Sequence, residues 1–138
     1  MTIVKFVKLE RQEKARLLCR LADDYFAAGK RIVIKVQDDN RAISLDRFLW
    51  SWDKGAFLPH AFNNGSVDCL EEPIVITVRE ENPNGAPVLI MGEPCSADYI
   101  RQFQLVIDFA ELYDKQLAEL SRERFRTYRQ HGFNPQMY

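Results

Sequence analysis

Four arginines, Arg122, Arg124, Arg126 and Arg129, fall within eight residues near the C-terminus, with Glu123 the only acid among them. If the segment is helical, spacings of four and three put Arg122, Arg126 and Arg129 on one face. Arg124 then points elsewhere. Phe125 and Phe133 flank the arginine face. Guanidinium forks hold carboxylates, and aromatic rings hold an apolar side chain. The grouping therefore suits a peptide that presents a carboxylate beside an apolar group. A solvated basic face opposite Leu117, Leu120 and Tyr128 would show the same spacing. A nucleic-acid backbone would call for wider positive charge than these arginines supply.

A second cluster is Phe48-Leu49-Trp50-Ser51-Trp52, which runs on into Phe57-Leu58-Pro59-His60. Two tryptophans with Phe48 and Leu49 cover more faces of a helix end than one core can use. Either that helix is sandwiched, or one tryptophan lies on a binding surface.

Residues for catalysis are scarce. No GxGxxG or GxxxxGK[ST] follows the first apolar run; Lys8-Leu9-Glu10-Arg11 stands there instead. A phosphate needs glycines at that turn so that backbone amides can approach it. There is no GxSxG elbow and no HExxH. His60 and His131 lie far apart, and His131 ends a helical segment where a positive side chain suits the helix dipole. Asp108 interrupts the apolar run FQLVIDF; it reads either as a perturbed, partly buried acid or, the commoner arrangement, as a strand-end acid paired with a nearby arginine. Cys19, Cys69 and Cys95 form no CxxC pair, so neither a zinc site nor a redox motif is expected. No cofactor, metal or catalytic residue is expected.

Positioning these groups requires the following elements. Residues 2–8 read as a β-branched first strand. Residues 10–28 read as an amphipathic helix with Leu17, Leu18, Leu21, Ala22 and Tyr25 at helical spacing and Gly29 as its stop. Arg31–Val36 is a second strand and 38–52 a second helix. An Asn- and Gly-rich loop covers Asp53–Glu72. Pro73–Val78, Pro87–Met91 and Phe103–Phe109 are further strands. Pro94–Asp98 reads as loop, and 112–130 as a long helix closed by Gly132. The strand–helix–strand opening implies that the first two strands pair in parallel through a right-handed crossover. The expected fold is α/β: one domain over 1–138, a Rossmann-like three-layer sandwich with a mainly parallel five-stranded sheet.

Composition agrees with a small globular chain. It has 138 residues, 46% hydrophobic and 28% charged, with a net charge of −1. That length can bury a core without disulfides or metals. The near-neutral charge gives no general field for nucleic acid. Three free thiols, no signal-peptide core and no run long enough to span a bilayer point to the cytoplasm.

The order of segments resembles the chi subunit family of the bacterial DNA polymerase III holoenzyme. GKRIVIKVQDDNRAISLDRFLW resembles the family's second strand and second helix, and AFLPHA its Phe-x-Pro-His stretch. PIVIT and PVLIM resemble its later strands, and RERFRTYRQHGFN its C-terminal ending. The resemblance implies a non-enzymatic subunit. It implies partnership with the psi subunit of the clamp loader and with the acidic C-terminal tail of the single-stranded-DNA-binding protein. Contact with DNA would be indirect. The implied tail-binding residues are Trp50, Arg122, Phe125, Arg126, Arg129, Gly132 and Phe133. Ala118 stands where the family has a lysine, and Phe125 where it has a tyrosine. Two other readings remain open from the residues themselves. One is a small nucleotide- or phosphate-binding enzyme; the other is a nucleic-acid-binding module built on the arginine helix.

Overall fold

The computed structural model describes residues 2–52 and 58–138; Phe57, read above with the loop after the tryptophans, lies outside them. The elements run β1 (Ile3–Leu9), α1 (Lys14–Ala27), β2 (Ile32–Lys35), α2 (Asp39–Ser51) and β3 (His60–Phe62). They continue β4 (Ile74–Thr77), β5 (Val88–Met91), α3 (Ala97–Ile100), β6 (Leu105–Glu111), α4 (Lys115–Gln130) and β7 (Asn134–Met137). The strands form one sheet in the order β3-β4-β2-β5-β6-β1-β7. Every pairing is parallel.

The apolar runs dictate the middle of this sheet. β2, β4 and β5 are buried at every position, as strands covered on both faces must be. On one face, Leu18, Cys19 and Ala22 of α1 and Ala42, Leu45 and Leu49 of α2 pack on Ile34, Ile76, Ile90 and Ile107. On the other, Tyr99 and Ile100 of α3 and Tyr128 of α4 pack on Val4, Phe6, Val33, Val75 and Val106. The result is three layers, helices–sheet–helices. Among the described residues no helix is long and apolar enough to cross a membrane.

The sheet has seven strands, not the five expected. β3 and β7 were missed because neither has a strand-like composition. β7 is Asn-Pro-Gln-Met, and it is a strand only because it pairs with β1, Val4 opposite Pro135 and Phe6 opposite Met137. The N–H groups of Asn134 and Tyr138 donate to the carbonyls of Thr2 (3.0 Å) and Phe6 (2.8 Å). Pro135 between them faces the open edge, where its missing donor costs nothing. β1 and β2 are also not neighbours. β1 pairs with β6 and β7, and β5 and β6 lie between it and β2. A crossover helix fixes parallel direction and hand, not adjacency. α3, read as loop, is a single turn capped by Ser96, whose hydroxyl accepts from the Tyr99 N–H at 3.2 Å.

Glycine ends both long helices by one device. Gly29 and Gly132 take positive φ, 73° and 81°. After α4, the Phe133 N–H donates to Tyr128 (3.0 Å) and the Gly132 N–H to Arg129 (3.1 Å). This is a Schellman turn, which satisfies the last carbonyls and brings an apolar residue back onto the helix. Here that residue is Phe133, with its ring centroid 6.1 Å from that of Tyr128.

Candidate functional site: the outer flank of helix α4

α4 starts at Asp114, whose side chain accepts from the Leu117 N–H at 3.0 Å. Ala118, Ser121 and Tyr128 face the sheet. Phe125 is half-buried with its ring 5.4 Å from Phe6. Spacing by threes and fours then puts Lys115, Glu119, Arg122, Arg126 and Arg129 on one outward flank. Arg122 and Arg126 are both exposed, and both turn to the same carboxylate. Nη1 of Arg122 lies 3.0 Å from one oxygen of Glu119, and Nη2 of Arg126 lies 3.8 Å from the other. The guanidinium of Arg129 lies 4.8 Å over the Phe125 ring, a cation–π arrangement that leaves its outer edge open. Two guanidinia thus converge within the span of one carboxylate, and a third lies over an aromatic ring.

The other named residues fall as follows. Gly132 makes the turn at the end of α4. Phe133 is only 7% exposed; the turn folds it inward, and the Arg101 guanidinium covers its ring at 5.3 Å. It supports the site from beneath and is not the outer wall that its position in the sequence suggested. Trp50 is not brought together with the arginines. It sits in the last turn of α2, on the opposite face of the sheet from α4, with its ring 4.2 Å from His60 of edge strand β3. One pocket between the ends of α2 and α4 is not formed. Sequence reasoning also missed two residues. Glu119 lies one turn before the arginine run. Met137, 48% exposed, is opposite Phe6 in β7 and so shares the α4 side of the sheet. The signal for Glu119 was helical spacing; for Met137 there was none before the β1–β7 register was known.

Arg124 points to the sheet and serves a different purpose. Its guanidinium holds Asp108 of β6 at 2.9 and 3.3 Å and donates to the Phe109 carbonyl at 3.1 Å. The Tyr128 hydroxyl donates to the same carboxylate at 2.9 Å. Burial alone would lower the Arg124 pKa, but the Asp108 charge and hydrogen bond more than offset it and raise it. Burial first, then the Asp108 charge, push the Tyr128 hydroxyl well above its usual value, so it stays a neutral donor. Asp108 is 3% exposed, so the arginine-paired acid expected in FQLVIDF is what the fold contains.

The carboxyl edge of a doubly wound sheet is where such folds bind ligands, so it bears on the nucleotide alternative. A cleft of about 380 Å³ lies there, lined by Lys14, Leu18, Val36, Arg41, Leu45 and Phe48 among others. Its cations already have acids. Lys14 pairs with Glu111 at 3.1 Å, Arg41 with Asp38 at 2.6 Å, and the nearby buried Lys35 with Glu93. His60 is buried, with Nδ1 2.7 Å from the Leu58 carbonyl and Nε2 2.9 Å from Asp46, which is a structural arrangement. Cys19 is fully buried, and burial pushes its thiol up to about 12. Among the described residues no cluster of His, Cys, Asp and Glu could hold a metal ion.

Comparison with known proteins extends beyond the site. Residues 1–136 match the family model described as DNA polymerase III chi subunit, HolC. The chain is 32% identical over 120 residues to DNA polymerase III subunit chi of Escherichia coli K12, covering 86% of this chain and 80% of that one. It is 29% identical over 119 residues to the subunit of that name from Haemophilus influenzae, covering 86% and 81%. Among solved structures it resembles an ADP-bound RNA helicase, Prp28 of Chaetomium thermophilum, with a TM-score of 0.63. That match covers 98% of this chain and 38% of the helicase at 11% identity, a likeness of fold alone.

Proposed function

The chain belongs to the DNA polymerase III chi subunit family, and from that premise we propose that it is a cytoplasmic protein-binding subunit with two distinct docking surfaces. Membership carries a non-catalytic accessory role in DNA replication. In our reading, one surface is the outer flank of α4, which takes the acidic, aromatic-ended tail of the single-stranded-DNA-binding protein. Arg122 and Arg126 grip carboxylates, Arg129 extends the positive strip, and Phe125 with Met137 offers an apolar bed. The single observation that carries this is the convergence of Arg122 and Arg126 on one carboxylate, that of Glu119. The second surface is the outer side of α2, where Ile43 and Trp50, two turns apart on one face, are 41% and 52% exposed. Apolar exposure of this kind marks protein partners, and the psi subunit of the clamp loader is the partner we assign to it. The protein would then link the replicase to coated template while touching DNA only indirectly.

The separation of the two surfaces makes a specific expectation. Arg122→Ala should weaken the tail peptide about tenfold, since a charge-assisted hydrogen bond is worth roughly 1.5–3 kcal/mol. Trp50→Ala should leave tail binding within about twofold, because the sheet stands between them, and should instead weaken capture of psi. Calorimetric titration of the tail peptide and co-purification with psi read the two effects separately. Equal loss of tail binding in both variants would contradict the two-surface arrangement.

A further inference from the structure

Glu119 is the acid that pairs with the arginines on the outward flank of α4, which carries Lys115, Arg122, Arg126 and Arg129; the exposed Glu123 lies one turn further on. Glu119 does not sit apart from the arginines. Its two oxygens are divided between Arg122, at 3.0 Å, and Arg126, at 3.8 Å. All three side chains are more than half exposed, 55% for Glu119, 63% for Arg122 and 62% for Arg126. None is therefore needed to hold the core, and the pairing is not driven by burial. The pairing gives the helix only the small stability of an exposed i,i+3 pair. The pairing also means that the place where an incoming carboxylate would sit is already held by a carboxylate of the same chain.

We infer that Glu119 is an internal competitor that sets the affinity and selectivity of the α4 site for acidic ligands. This rests on the reading of α4 as the tail-binding flank. A ligand with a single carboxylate gains little, because it must displace Glu119 to reach the same two guanidinia. A tail that brings several carboxylates gains more. It can replace Glu119 at Arg122 and Arg126 and also reach Arg129, which stacks on Phe125 at 4.8 Å and has no acid partner among the described residues. Release of Glu119 also leaves its charge next to the ligand, a repulsion that penalises short or weakly bound anions. Isolated carboxylates in the cell are thereby kept off a site meant for a multiply charged tail.

The size of the effect follows from the exposure of the pair. Exposed ion pairs at this spacing are worth little, which corresponds to about a two- to fivefold change in affinity. Glu119→Gln keeps the shape and the helix preference of the side chain and removes only the charge. The experiment is titration of the C-terminal peptide of the cognate single-stranded-DNA-binding protein into wild type, Glu119→Gln, Arg122→Ala and the Glu119→Gln/Arg122→Ala double variant. Melting temperatures serve as the check on folding. We expect Glu119→Gln to bind about two- to fivefold tighter at low salt and the advantage to shrink as salt is raised. We expect the advantage to be largely lost in the Arg122→Ala background. Free acetate should compete better against the peptide in Glu119→Gln than in wild type. Wild-type binding that depends on Arg122 but is unchanged or weakened by Glu119→Gln would overturn the inference and leave the site standing. No binding by any of the proteins, or binding indifferent to Arg122→Ala, would overturn the site itself and the inference with it.

Discussion

Arg124→Ala should be among the most damaging single substitutions in this protein, lowering stability by about 3–5 kcal/mol without touching the outer flank of α4. The reason is what it leaves behind. Asp108 is 3% exposed inside β6, and Arg124 supplies its compensating charge through two contacts at 2.9 and 3.3 Å. Without it the carboxylate keeps, among the described residues, the Tyr128 hydroxyl and the Phe109 N–H, at 2.9 and 2.6 Å. Removing one member of a buried pair costs about that much, because a charge remains buried and unpaired. For a chain of this size the melting temperature should fall by roughly 10 °C or more. Arg124→Lys should recover only part of it, since an ammonium lacks the planar fork. Adding Asp108→Asn to Arg124→Ala should restore stability relative to Arg124→Ala alone, because the orphaned charge is gone. Thermal or urea unfolding of the four proteins measures this. A wild-type melting temperature for Arg124→Ala would mean that the α4–β6 pairing is wrong.

Ile76→Ala should destabilise by about 2–5 kcal/mol, the range for deleting most of a buried aliphatic side chain. Ile76 is fully buried in β4, opposite Ile34 of β2 and Phe62 of β3. It packs under α1 and α2, so no neighbour on an open side can relax into the gap. Leu17→Ala makes the useful contrast. Leu17 packs against the same core but is only partly buried, so its loss removes less apolar burial and should cost distinctly less. Denaturant melts in which Leu17→Ala costs more stability than Ile76→Ala would contradict the placement of β4 at the middle of the packed sheet.

What the sequence reveals and what it hides divides along physical lines. The continuous runs at Ile32–Lys35, Ile74–Thr77 and Val88–Met91 are legible because strands buried on both faces are apolar throughout. α1 and α4 are legible because helical spacing and a glycine stop coincide at both. The same spacing separated Arg124 from Arg122, Arg126 and Arg129. β7 is invisible beforehand, since nothing in Asn-Pro-Gln-Met favours a strand and only the neighbouring β1 makes it one. The order that sets β5 and β6 between β1 and β2 is likewise non-local. That order, together with the faces the helices take, parts Trp50 from the arginines, so no local pattern could have shown it. Phe133 misled for a different reason. Gly132 signals a helix stop, but the Schellman turn it makes also folds the next residue onto Tyr128, which turns an apparent outer wall into part of the core.

The central claim is that α4 anchors an acidic chain end through arginine–carboxylate contacts. Its most direct test is calorimetric titration of the cognate tail peptide, intact and lacking its last residue, into the wild-type protein over a series of salt concentrations. The account expects the intact peptide to bind, to weaken steadily as salt rises, and to lose most of its affinity when the terminal aromatic residue is removed. An affinity that is independent of salt, or equal for the intact and shortened peptides, would contradict it.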